Sequence, residues 1–188
     1  SVFDCSVIIF DLQNCSPVIQ NNTITSEVPF DIGDPDTGTD GISGNTYTAS
    51  DPIIHVAGTL DSSHALLPID GLNIYRLISD IYVQPGVTLT IPAPVEVQTT
   101  SSSYEFLVAG RLEATGVVFN SVSSGTTVNT YAYSGGDVDL TDCTFTGAGT
   151  AEVIYEGDSF GTINNCDGNW QLIIQNSSIS VHYNNFAS

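Results

Sequence analysis

The chain contains no lysine and no methionine, and Arg76 and Arg111 are its only lysine or arginine residues. Against them stand 21 acidic residues, giving a formal net charge of −19 at pH 7. Two such cations cannot neutralise a phosphate backbone, which argues against nucleic acid as a partner, and an anionic membrane surface is disfavoured on the same grounds. Nor is there a run of about 18 apolar residues, so the sequence offers no membrane-spanning helix. Charged residues make up only 12% of the chain and hydrophobic ones 41%, which separates it from acidic disordered tails. Its 188 residues suit one domain with a sizeable core.

Because the chain opens on Ser1, it reads as a processed or excised segment. Four cysteines, Cys5, Cys15, Cys143 and Cys166, form no CxxC pair and no zinc spacing. An even number of them in a lysine-free chain rich in Ser, Thr and Asn predicts an oxidising setting, extracellular or on a cell surface. Asn14, Asn21 and Asn176 head sequons and are candidate glycosylation sites.

Helical periodicity is nearly absent. Strand alternation is widespread, as in Val87 to Ile91, where Val87, Leu89 and Ile91 share one face, and again in Phe106, Val108, Gly110 and Leu112. The organising feature is repetition. An element of apolar residue, any residue, Asp or Asn, then Cys, Phe or Ser occurs at Val2–Cys5, Leu12–Cys15, Leu140–Cys143, Ile163–Cys166, Ile174–Ser177 and Tyr183–Phe186. Its spacings cluster near 10 and 20–23 residues, the half-turn and turn of a coil of short parallel strands. A second repeat sets Ile54–Leu60 against Phe106–Leu112. Stacked coils of this kind form apolar ladders inside, with Asn at the bends hydrogen-bonding its neighbours above and below.

The stretches 81–91 and 106–121 resemble the repeats of right-handed parallel β-helix surface proteins, within the broad pectate-lyase-like superfamily. The resemblance implies an all-β, single-stranded right-handed parallel β-helix. It implies less about function, since that fold hosts lyases, hydrolases, adhesins and fibres. The expected layout is amino-terminal ladder coils over 1–26, an irregular acidic Gly/Pro/Thr loop over 27–52, and the β-helix body over 53–188. In such a coil Cys143 and Cys166 lie one turn apart, and Cys5 and Cys15 pose the same choice between a disulfide and stacked ladder members; disulfides are the expectation.

Asp34, Asp36 and Asp40, set among glycines, resemble a degenerate calcium loop, which makes calcium the one candidate cofactor. Asp137, Asp139 and Asp142 form a second acidic cluster. A lyase needs a basic residue beside a uronate, and the chain's negative field repels anionic polymers. A hydrolase needs two carboxylates facing across a groove, and Glu96, Glu105, Glu113, Glu152 and Glu156 are candidates without a distinguishing spacing. Arg111 and Glu113 read as an ion pair along one strand. His55, His64 and His182 lack a metal or triad context; Trp170 and the tyrosines read as packing or as a sugar platform.

No polar cap is evident at either end, whereas solenoids ordinarily need one. Val2, Cys5, Leu12, Tyr183 and Phe186 are therefore candidate assembly residues for head-to-tail stacking of one copy on the next. The expected function is a non-catalytic extracellular structural subunit of a filament, sheath or adhesin, with itself and surface glycans as partners. The alternative is a carbohydrate-active enzyme, hydrolase before lyase.

Overall fold

The computed structural model describes residues 2–3, 10–101 and 104–186. Among them there is no helix; parallel strands stack as a β-solenoid of about seven turns. Three rows of strands make up most of it. The first row runs through Phe10–Leu12, Phe30–Ile32, the start of Ile54–Leu60, Ile74–Leu77, Glu96–Thr99, Val118–Ser121, Thr144–Gly147, Asp167–Gly168 and Asn185–Phe186. The second runs through Gly58–Leu60, Ile81–Val83, Glu105–Val108, Asn129–Ala132, Ala151–Glu156 and Trp170–Gln175. Ile74–Val83 belongs to both, and a register shift between Leu77 and Ile81 turns the chain from one to the other. The third row is His64–Ala65, Thr88–Pro92, Arg111–Thr115, Asp137–Thr141, Phe160–Asn164 and Ser178–His182.

Alternation selects which side chains face in. Register places Phe30, Ile54, Tyr75, Val97, Phe119 and Phe145 on top of one another in the first row, all of them buried. In the third row Ile91, Ala114, Leu140 and Ile163 do the same. The aromatic members stack, Phe119 on Phe145 at 5.1 Å between ring centroids. Gly168 then follows in that column, where a Cβ would stand 1.9 Å from the Phe145 carbonyl oxygen. The Trp170 indole continues the stack instead, 5.1 Å from Phe145 and 4.3 Å from Phe186. Two polar groups that enter the core find carbonyl partners: the Tyr155 hydroxyl donates to the Val138 carbonyl at 2.6 Å, and Thr99 donates to the Ser101 carbonyl at 2.8 Å.

The repeated Asn or Asp is the bend residue. Asn14, Asn21, Asp142, Asn165 and Asn176 all have positive φ, between 43° and 57°, a conformation Asn and Asp tolerate better than other side chains. Asn165 donates to Asp142 one coil back at 2.6 Å, the ladder contact expected of such bends. In the last coil the bend falls two residues before the one the sequence repeat indicates. Asn164 pairs with His182, so Asn165 is matched by Tyr183, itself at φ 56°, rather than by Asn185. That coil is short, with Phe160 and Ser178 in register only 18 positions apart, and a sequence alignment on Asn skips the difference.

Two other expectations are revised. Residues 27–52 contribute Phe30–Ile32, Ile42–Ser43 and Thr46–Tyr47, each paired in parallel with the preceding coil; the first also pairs with the following one. They form a coil, and the irregular Gly/Pro/Asp part is its corner between Ile32 and Ile42. The repeat of Ile54–Leu60 and Phe106–Leu112 is not structural. Gly58 lies within one strand and is in register, through Ile81, with Phe106, whereas Gly110 sits at a corner where a Cβ would meet the Gln84 carbonyl oxygen at 2.1 Å.

Candidate functional site

Outward-facing side chains form columns, one per coil, and their chemistry differs from row to row. On the first row Asp31, His55, Arg76, Gln98 and Asn120 stand above one another. Arg76 donates to Gln98 at 2.7 Å, and Gln98 and Asn120 both donate to Glu96, at 2.7 and 2.8 Å. His55 lies 4.0 Å from Asp31, but burial lowers its pKa more than Asp31 raises it, so the imidazole is neutral at pH 7. His64 and His182 sit on the third row, away from it.

On the third row Arg111 binds Glu113 at 2.9 Å along its own strand, as the sequence spacing indicates. It also binds Asp137 at 3.3 Å and Asp139 at 2.7 Å on the next coil. Burial and then Asp139 raise the Asp137 carboxyl, with Arg111 opposing them. A shallow concavity of about 360 Å³ overlies this cluster, walled by Thr90, Thr115, Thr141 and Thr162. Its carboxylates converge on the one guanidinium rather than facing one another across a groove, as glycoside hydrolysis requires. Asp142 is apart from them, in its bend.

On the second row Asp80, Glu105, Asn129 and Glu152 succeed one another by register. Burial, then Asp80, raise the Glu105 carboxyl, and the Asn129 amide partly offsets this. Glu156 accepts the Tyr131 hydroxyl.

Among the described residues no three His, Cys, Asp or Glu side chains are grouped so as to hold a metal ion. Asp34 Oδ1 accepts the Asp36 amide at 3.0 Å. The Asp36 carboxylate accepts the Asp61 amide at 2.8 Å and the Ser62 hydroxyl at 3.0 Å, fastening its coil to the next, while Asp40 is exposed. Of the three, Asp36 is the stitch between coils, and Asp34 closes a local turn. Nor do the described cysteines form a disulfide. Cys15 is an exposed thiol, and Cys143 and Cys166 are buried thiols stacked as ladder members. Cys143 donates to the Ala114 carbonyl at 3.4 Å, and its hydrogen bond with Cys166, then burial, hold it protonated far above the usual thiol range. Cys5 lies outside the described residues. The sequon residues Asn14, Asn21 and Asn176 are all exposed, at bends.

Of the assembly residues, Val2, Tyr183 and Phe186 are exposed, whereas Leu12, at 5% exposure, is part of the core and presents nothing to a partner. The last coil is the distinctive surface. Ile174 is 49% exposed and Val181 40%, although Tyr155 and Ile163, the same positions one coil earlier, are fully buried. Phe186 is 46% and Tyr183 88% exposed. The strands Trp170–Gln175, Ser178–His182 and Asn185–Phe186 each pair on one side only, leaving open edges. The charge distribution adds what ladder reasoning misses. Residues 168–186 contain no Asp, Glu, Lys or Arg, and neither do residues 12–26, so the acidic excess is concentrated between the two.

No protein-family model, curated protein or solved structure matches the chain.

Proposed function

We propose that the chain is a non-catalytic structural segment of an extracellular or cell-surface filament, sheath or adhesin, extended by stacking a second copy head to tail on the coil of residues 170–186. The observation that carries this reading is an uncharged coil in a strongly acidic chain, with ladder side chains uncovered and strand edges unpaired. Each uncovered side chain continues a column that a further coil extends, burying apolar surface at roughly 25 cal/mol per Å². At the opposite end residues 12–26 also carry no charge, but the exposed Asp11 lies on the edge strand Phe10–Leu12. Heterologous contacts of this type do not close and generate filaments. Within this reading the solenoid is of the right-handed, pectate-lyase-like kind, glycans occupy the exposed sequons, and surface glycans are ligands of an adhesin form.

Negative-stain microscopy at rising concentration tests it. Rods that lengthen with concentration, and are lost in Val181→Glu, are the expected result. Single particles at every concentration contradict stacking, and turnover of a neutral polysaccharide would favour the carbohydrate-active alternative.

A further inference from the structure

The outer face of the second row has a composition unlike the rest of the surface. Tyr82, Leu107, Tyr131, Ile154 and Ile173 stand one above another in register over successive coils. All five are only partly buried, so an unbroken apolar column about 19 Å long faces outward, taking about 4.8 Å per coil. Beside it runs the column of Asp80, Glu105, Asn129 and Glu152, and beyond it lies Glu156. No cationic side chain occupies either column. The chain's two arginines and His55, His64 and His182 are all on the first and third rows.

The acidic column lacks counter-charge: the donors that reach it are neutral amides, that of Asn129 on Glu105 and that of Gln171 on Glu152. The Asp80 carboxylate accepts the Glu105 backbone amide at 3.0 Å. Asn129, 7% exposed and standing between Glu105 and Glu152, has a buried Oδ1 with no hydrogen-bond partner. Neutral amide donors leave the charge of these carboxylates uncompensated, and a donor carrying positive charge complements it.

We propose that this face is a docking strip for a cationic polypeptide segment with apolar side chains, the latter lying on the Tyr82–Ile173 column and Lys or Arg side chains on Glu105 and Glu152. Charge decides between occupants. A second copy brings −19 against the acidic column, and an anionic membrane is repelled in the same way. A sugar chain lacks an aromatic platform here. Tyr131 and Tyr133 stack on each other at 5.5 Å and 21°, and Tyr133 and Tyr82 approach at 6.4 Å and 30°, so the rings turn their faces to one another. A cationic segment uses both columns at once, with the buried apolar contact supplying affinity and the carboxylates supplying specificity and on-rate.

The test is fluorescence anisotropy of a short synthetic lysine–leucine peptide against the full chain at physiological ionic strength. Ile154→Thr leaves the charge unchanged and is expected to weaken binding roughly tenfold, the loss of one well-buried apolar contact. Glu105→Gln with Glu152→Gln is expected to weaken it at least as much, and keeps side-chain shape should the threonine variant fold poorly. Asp158→Asn, a charge removed elsewhere, is expected to change affinity less than twofold. Equal losses from Asp158→Asn, or indifference to both Ile154→Thr and the paired Gln variant, would overturn the proposal in favour of non-specific charge attraction. Preferential binding of a neutral cello-oligosaccharide would overturn it in favour of a glycan surface.

Discussion

A carboxylate in this chain is defined by what stands one coil above or below it. Asp36 has its oxygens taken by Asp61 and Ser62, so its role is mechanical. Asp36→Ala is expected to cost about 1–2 kcal/mol, by the usual worth of hydrogen bonds to a charged group. Thermal melts should show the same loss in EDTA and in calcium; a loss seen only with calcium would restore a metal role. Glu105 behaves oppositely. Its folded-state pKa is raised above the ordinary 4.5 by burial and by Asp80, so the folded chain holds this proton better than the unfolded one. The destabilisation is present at neutral pH and is relieved as pH falls through the folded value toward 4.5. Glu105→Gln should therefore raise the melting temperature at pH 7 and lose that advantage near pH 4. At this scale the sequence was informative about bends, because Asn and Asp are the residues that tolerate positive φ. It indicated the pairing of Arg111 with Glu113 but not the partners Asp137 and Asp139, which come from the next coil and depend on a coil length no local pattern states.

The element that fixes register is the column, and a column fails where a side chain cannot enter it. Gly168 is the clearest case. Its φ of 119° and the Phe145 carbonyl oxygen 1.9 Å from a would-be Cβ leave no room for alanine. Gly168→Ala is expected to destabilise more than the roughly 1 kcal/mol of an ordinary glycine replacement, and to disturb the Phe145–Trp170–Phe186 stack. Tryptophan fluorescence followed through urea unfolding reads both effects. Truncating Phe119, buried between neighbouring aromatic rings, should cost about 3–5 kcal/mol. Strand alternation made these inward positions legible in advance, as at Leu89 and Ile91. The coil of residues 27–52 was not legible. Its strands are two or three residues long, below the length at which a period of two can be recognised, and its Asp/Gly/Pro corner dominates the composition.

For the molecule as a whole, net charge and stacking pull against each other. At −19, copies repel over distances that salt shortens, from a Debye length of about 10 Å at 0.1 M to about 3 Å at 1 M. End-to-end association is therefore expected to strengthen with salt, and light scattering at constant protein concentration should rise with ionic strength. A fall would mean that ion pairs, which the uncharged terminal coil does not offer, hold the copies together. The repeated Asn ladder indicated a continuing coil, and the exposed Ile174 and Val181 give that idea a surface. Leu12, buried, shows that ladder membership alone does not identify a contact residue.

The most direct measurement is amide hydrogen exchange over residues 170–186 as protein concentration is raised. Stacking predicts that the open edges of Trp170–Gln175 and Ser178–His182 become protected with concentration, while the central coils, already paired on both sides, do not change. Exchange in these strands that stays fast and concentration-independent would contradict the account.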